Sequence, residues 1–218
     1  MQIKWCGHAA FLITSQSGTN ILTDPYEPGG YDGAMGYGNI PNAIDIAVVS
    51  HDHPDHNFVQ GLKGKPRVVK GPGTHTVSGI VFKGIPSYHD TSKGSERGES
   101  TIFCFTVDDV RLCHLGDLGH ALDAQAASEI GTVDVLMIPV GGFYTIDAEA
   151  ATAVMSALKP RLVIPMHFKT EKCGFPIATV DAFLTNKSGV KKLKTSEISV
   201  TRETLPPATE IQVLAYAL

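Results

Sequence analysis

Residues 50–57 read S-H-D-H-P-D-H-N and follow directly on Ile44–Val49, I-D-I-A-V-V. An apolar run rich in β-branched residues reads as a buried strand. Its exit carries His51, His53, Asp55 and His56 in the spacing H-x-H-x-D-H. Side chains alternate along an extended exit, so His51 and His53 point to the same side and can grip one ion together. Pro54 suits the first turn of a helix, and Phe58 and Leu62, four apart, would give that helix its inner face. Asp55 and His56, at the start of the helix, then point differently and can reach a second ion nearby. Mixed imidazole and carboxylate donors suit zinc, and also manganese or iron. The plain alternative is a solvated, charged helix start.

Working outward, five strand-like runs end in a residue able to bind or orient a metal. N-I-L-T ends at Asp24, I-D-I-A-V-V-S at His51, and V-F-K-G-I-P-S-Y at His89. V-R-L-C-H-L-G ends at Asp117 and R-L-V-I-P-M at His167. In open α/β architectures the ligand site lies beyond the carboxyl ends of strands, where several strands can feed one crevice.

Further strand-like runs span 2–6, 10–15, 67–70 and 75–79. Residues 100–107 and 110–117 form a hairpin pattern that turns at Asp108 and Asp109. After residue 120 the rhythm changes to strand and helix. Residues 123–130 read as helix, 133–140 as a buried strand, and 147–158 as an alanine-rich helix that Asp147 could cap. The tail, 197–217, reads as two strands joined by a proline turn. Residues 25–42, rich in Gly, Pro and Tyr, lack periodicity and read as a surface loop. With no linker, repeat or low-complexity stretch, the expectation is one domain, 1–218, of β-sheets covered by helices.

The chain of 218 residues is 43% hydrophobic and 18% charged, enough for a real core. A net charge of −4 argues against a phosphate-backbone track. No apolar run approaches the ~20 residues of a membrane span, and M-Q-I-K-W-C-G-H-A-A-F lacks the parts of a secretory signal. The cytoplasm is the expected compartment. Cys6, Cys104, Cys113 and Cys173 form no C-x-x-C pair and read as buried thiols rather than a disulfide framework.

S-H-D-H-P-D-H, with T-D-P, Y-H-D, H-L-G-D and P-M-H in that order, resembles the metallo-β-lactamase superfamily across essentially the whole chain. Within it, W-C-G-H-A-A-F, C-H-L-G-D-L-G-H, P-V-G-G-F-Y-T-I-D and V-I-P-M-H-F-K-T are similar to a compact branch of metal-dependent hydrolases related to the ascorbate-6-phosphate lactonases. The resemblance implies an α/β (α+β) fold, a four-layer αββα sandwich of two mixed β-sheets flanked by helices. It implies two divalent metal ions, zinc first, with manganese or iron as alternatives. His51, His53 and His89 would bind one, and Asp55, His56 and His167 the other, with Asp117 bridging them. Asp24 would be an outer carboxylate that orients a ligand histidine. The activity implied is hydrolysis of a small-molecule ester, lactone or phosphoester by a metal-bridging hydroxide, to which Asp55 would also hydrogen-bond.

His120 and His8 recur in that branch, and each either lines the pocket or caps a local turn. His114 reads as a core histidine and His75 as a surface one; Asp90 has no assignment. Lys169 and Arg97 are candidates for contact with an anionic substrate, and Tyr26, Tyr31 and Tyr37 for an aromatic rim. The backbone N–H groups of P-V-G-G-F-Y-T lie near the expected crevice. The competing functions are a nuclease or phosphodiesterase acting on nucleic acid, against which charge and length argue, and a metal-binding protein without turnover. A di-iron oxygen- or NO-reducing site would resemble H-x-E-x-D, whereas position 53 is histidine. The partner expected is a small molecule, not a membrane, and a homo-oligomer stays open.

Overall fold

The computed structural model describes all 218 residues. In chain order the strands begin with β1 (Gln2–Gly7), β2 (Ala10–Thr14), β3 (Asn20–Thr23), β4 (Ala43–Val49) and β5 (Lys63–Lys70). They continue with β6 (Gly73–Val77), β7 (Ile80–Tyr88), β8 (Glu99–Val107) and β9 (Val110–His114). Helix α1 (Ala124–Ile130), β10 (Val135–Pro139), α2 (Ala148–Leu158), β11 (Leu162–Met166) and α3 (Val180–Leu184) follow. The chain closes with β12 (Val190–Lys192), β13 (Glu197–Ser199) and β14 (Glu210–Val213).

Two mixed sheets result, one of six strands in the order β13-β1-β2-β3-β4-β5 and one of eight in the order β12-β14-β11-β10-β9-β8-β7-β6. Antiparallel pairing prevails on the β1-β2-β3 side and parallel pairing at β3-β4-β5. In the larger sheet β9, β10, β11, β14 and β12 run parallel, while β6 to β9 form a meander. β10 is buried at every position, as a central parallel strand covered on both faces must be. Ile3, Trp5, Phe11, Ile13, Ile21, Ile46 and Val48 of the smaller sheet share one apolar core with the larger sheet and its helices. The other face of the smaller sheet offers Cys6, Ala10, Leu12 and Leu22. These pack against Tyr26, Met35 and Tyr37 of the 25–42 loop and Cys173, Phe175 and Ile177. That loop therefore covers the outer face of the smaller sheet. All four cysteines are free and buried.

Asp147 caps α2, accepting from the Ala150 N–H at 2.9 Å, and Asp123 caps α1 in the same way at 2.7 Å. Asp108 and Asp109, both with positive φ (48° and 61°), form the β8–β9 turn, which needs left-handed backbone at both positions. One expectation fails. No helix follows Pro54: the amides of His56 and Asn57 both donate to the His53 carbonyl, and a 3-10 turn, Val59–Gly61, comes next. The reason is tertiary. Phe58 N–H donates to Pro25 O at 2.7 Å and Glu27 N–H to Pro54 O at 3.0 Å, so the segment is stitched to the loop after β3 instead of to itself. The tail forms the two expected strands, and these lie in different sheets: β13 joins β1 in one and β14 joins β11 in the other.

Candidate metal centre

Six connections deliver side chains to one place, at the same end of both sheets. From the smaller sheet come His8 after β1, Asp24 after β3, and His51, His53, Asp55 and His56 after β4; from the larger come His89 after β7, Asp117 after β9 and His167 after β11. His8, Asp24 and His167 all take positive φ, of 51°, 39° and 51°. Left-handed backbone is costly for residues with a Cβ and collects where a side chain must be aimed. Gly119 makes the close approach possible. A Cβ there would sit 2.3 Å from the His89 carbonyl carbon, so only glycine lets the turn after Asp117 lie against the exit of β7.

Asp117 is buried at the centre. Its Oδ2 lies 3.1 Å from His89 Nε2, 3.2 Å from both His56 Nε2 and His167 Nε2, and 4.0 Å from His51 Nε2. Around it the donors fall into two main sets. His51, His53 and His89 form one and His8, Asp55, His56 and His167 the other, the donor atoms of each set lying within 4.8 Å of one another. His51, His56 and Asp117 make a third group between them.

The hydrogen bonds on the outer side of the rings fix the tautomers. Asp24 accepts from Ser50 N–H and Ser50 Oγ, both at 2.7 Å, and from His56 Nδ1 at 3.0 Å. With its own proton given to Asp24, Ser50 Oγ accepts from His51 Nδ1 at 2.9 Å. His89 Nδ1 donates to Tyr144 O at 3.0 Å. Protons held on Nδ1 leave Nε2 of His51, His56 and His89 pointing inward as lone-pair donors.

The electrostatics favour a cation. Burial raises the Asp117 pKa, but the adjoining His167 and His56 outweigh it and hold the carboxyl well below the usual range. Asp55 is likewise depressed, against its burial, by His56 and His8, and Asp24 by His114 and His56. Burial alone would lower His56, yet Asp117 and Asp55 push it up, so it competes for a proton at the position a metal ion would take. Burial lowers His8 to about 4 and His51 to about 3. Asp117 Oδ1 and His56 Nε2 are buried without a hydrogen-bond partner. Three buried carboxylates, inward lone pairs and orphaned polar atoms are what divalent ions would satisfy. The residues fit the group.

A cleft of about 280 Å³ opens over these donors. His53, Asp55, His89, Asp117 and His167 form its floor, and Tyr31, Tyr144, Phe175, Glu96 and Arg97 line the rest. Of the three tyrosines expected at a rim only Tyr31 reaches it, donating to Asp55 Oδ1 at 3.0 Å. Tyr26 and Tyr37 are buried in the outer cluster. Arg97 is held in the wall by the 90–98 loop, its guanidinium carbon 5.8 Å from the Tyr144 ring centroid. Asp90 ties that loop, accepting from the backbone N–H groups of Ser92, Gly94, Glu96 and Arg97. Lys169 is turned away, donating to Phe175 O.

His120 is not brought to the cleft. Its Nε2 accepts from Tyr88 N–H at 3.2 Å and its Nδ1 bonds Ala121 O at 2.8 Å, so both ring nitrogens serve a local turn. His114 is a buried core residue, bonded through Nε2 to Ala9 O and through Nδ1 to Gly116 N–H. His75 bonds Gly71 O at the sheet edge. The cleft-lining residues not singled out from the sequence are Glu96, Tyr144 and Phe175. His8, named from its motif, is buried behind the cleft floor with its Nε2 3.2 Å from Asp55 Oδ2; the two aromatics and Glu96 carried no signal in the sequence.

Two mixed sheets face to face, with buried histidines and aspartates gathered where strands from both sheets end, define the metallo-β-lactamase class of fold. The chain belongs to that superfamily, its residues 2–167 matching the β-lactamase superfamily domain, and within it to the UPF0173 metal-dependent hydrolases. A UPF0173 metal-dependent hydrolase of Methanoculleus marisnigri is 30% identical over 193 residues, spanning 78% of this chain and 82% of the relative. One from Pyrococcus abyssi is 28% identical over 195 residues, spanning 78% and 85%. The crystal structure of a protein from Thermotoga maritima, assigned as a zinc-dependent hydrolase of the metallo-β-lactamase superfamily, superposes with a TM-score of 0.79 at 34% identity, covering 98% of this chain and 97% of the other.

Proposed function

We propose that the protein is a dinuclear metal-dependent hydrolase, with zinc as the first expectation, acting on a small ester, lactone or phosphoester. The observation that carries this reading is the position of Asp117 Oδ2, within 3.2 Å of imidazoles from both donor sets. His51, His53 and His89 would hold one ion, Asp55, His56 and His167 the other, and Asp117 would join them. When bound, such ions supply Lewis acidity and bring the pKa of water from about 15.7 toward 7. The protein's own part is orientation. Asp24 holds the His56 ring, Tyr144 O holds His89, Ser50 holds His51, and Tyr31 holds the outer oxygen of Asp55.

The cleft argues for a small substrate with mixed character. Tyr31, Tyr144 and Phe175 offer apolar walls, and Arg97 offers a guanidinium to an anionic group. The resemblance of its motifs to lactonases acting on a phosphorylated sugar acid suits such a substrate, and the net charge of −4 does not suit a polynucleotide. One domain over 1–218 is part of this reading, as is the cytoplasm, where the four free thiols would stay reduced. No helix is long and apolar enough to cross a membrane.

The test is metal analysis of the purified protein, then turnover of a panel of lactones and activated phosphodiesters with and without chelator. Two ions per chain and chelator-sensitive turnover are expected, and Asp117→Ala should lose metal and turnover together. Turnover by metal-free Asp117→Ala protein would falsify the proposal.

A further inference from the structure

We propose that His8 is a metal ligand, completing with Asp55, His56 and His167 a four-residue donor set for the second ion; this rests on the dinuclear reading above. The local backbone is built to deliver it. The β1–β2 pairing shifts register between Trp5 and Gly7, and such a bulge re-aims the side chain that follows. Gly7 has φ 128°, and a Cβ on it would lie 2.4 Å from the Tyr37 ring, so neither the conformation nor the space admits another residue. His8 itself is left-handed. Its carbonyl is held from two sides, accepting from Trp5 Nε1 at 3.0 Å and from His167 N–H at 3.2 Å. The backbones of two strand exits from opposite sheets are thus tied together at this residue, and the His8 and His167 rings lie 4.1 Å apart, centroid to centroid.

The approach to Asp55 distinguishes a ligand from an orienting neighbour. The outer oxygen, Oδ1, is already held by the Tyr31 hydroxyl. His8 Nε2 instead lies 3.2 Å from Oδ2, the inward oxygen that is also 3.4 Å from His56 Nε2. Two donors each about 2.1 Å from a shared ion, at roughly 100° to one another, stand about 3.2 Å apart. The His8 ring is fully buried, and its Nδ1, like that of His167, has no protein partner. With His8 counted, the second position has four donors besides Asp117, and the first has the three imidazoles of His51, His53 and His89. The centre is therefore asymmetric, with one ion gripped by protein and one more open to substrate.

The test isolates the second position. His53→Ala removes a donor of the first set and should leave a full-length protein that takes up one Zn²⁺. Adding His8→Ala should weaken that remaining site by more than about 100-fold, beyond the 10–100-fold that loss of an outer partner costs. His8→Gln, which can still hydrogen-bond Asp55, should not restore it. In the Co²⁺-loaded His53→Ala protein, the visible absorption should change on removing His8, because the donor set changes. A loss smaller than 100-fold, rescue by His8→Gln, or an unchanged Co²⁺ spectrum overturns the assignment. Folding is checked in the single His8→Ala protein, whose first site should keep its wild-type affinity. Uptake of fewer than two ions by the wild-type protein would sink the dinuclear reading itself; two ions in wild type and two equally tight ones in His8→Ala would sink only the role of His8.

Discussion

Asp24 touches no candidate ion, yet it bonds Ser50 N–H, Ser50 Oγ and His56 Nδ1 at once. Its carboxylate sets the direction and the basicity of one imidazole directly and of another, His51, through Ser50 Oγ. Asp24→Asn keeps the shape but offers only one acceptor oxygen, and should weaken metal binding by roughly 10- to 100-fold without abolishing it. Competition with a chelating dye reads this directly; unaltered affinity would remove Asp24 from the site. Arg97 is a different kind of residue, partly exposed and in the cleft wall. Its removal should raise KM for an anionic substrate by roughly tenfold, leave kcat near wild type, and spare a neutral analogue. Equal effects on charged and neutral substrates would show that the guanidinium recognises no charge.

At the level of elements, most strands and the two capped helices were legible because their signals are local: alternation, β-branched runs, and aspartates placed to cap; the short α3 and β12 were not read. The cluster was legible because its members end strands, and strand ends of such folds converge. The segment after Pro54 was not, since hydrogen bonds from Phe58 and to Pro54 across to the 25–27 backbone override its helical spacing. Nor was the fate of the tail, because β13 and β14 carry nothing that assigns them to different sheets. His120 read like a site residue from its motif, but its ring turns back onto Tyr88 and Ala121. The 90–98 loop yields a prediction of its own. Burial raises the Asp90 pKa, but the N–H groups of Arg97, Gly94, Glu96 and Ser92 prevail and bring it from 3.8 to about 2. A depressed folded-state pKa gives stability that is present above the unfolded value and lost as pH falls through the folded one. The loop should hence loosen between about pH 4 and pH 2, seen as faster amide exchange at Gly94 and Arg97 beyond the intrinsic pH trend. Asp90→Asn should flatten that dependence. In α2, Asp147→Ala should cost about 1 kcal/mol in urea unfolding, the usual worth of an N-cap.

For the whole molecule, the decisive fact is that the donors come from both sheets. His8, Asp24 and the 51–56 segment leave the smaller sheet, while His89, Asp117 and His167 leave the larger. One shared apolar core holds the sheets together over their length, but at this end they meet through buried charge. Ions bound there would join the sheets across a seam that otherwise confronts ionised carboxylates with crowded imidazoles. An unfolded chain cannot present those donors together, so metal binding should be coupled to global stability. At a free metal concentration 1,000 times Kd a single site contributes about 4 kcal/mol. For a chain of this size that corresponds to a rise in Tm of roughly 8–16 °C. Thermal unfolding across a series of buffered Zn²⁺ concentrations should show Tm climbing with the logarithm of free metal, and chelator should reverse it. Asp117→Ala, which removes the carboxylate lying within 3.2 Å of imidazoles from both sets, should lose most of the climb. His120→Ala, which alters only a local turn, should keep it in full. A Tm that ignores stoichiometrically bound metal would mean that the ions do not bridge the sheets, and the arrangement of donors would then need another purpose.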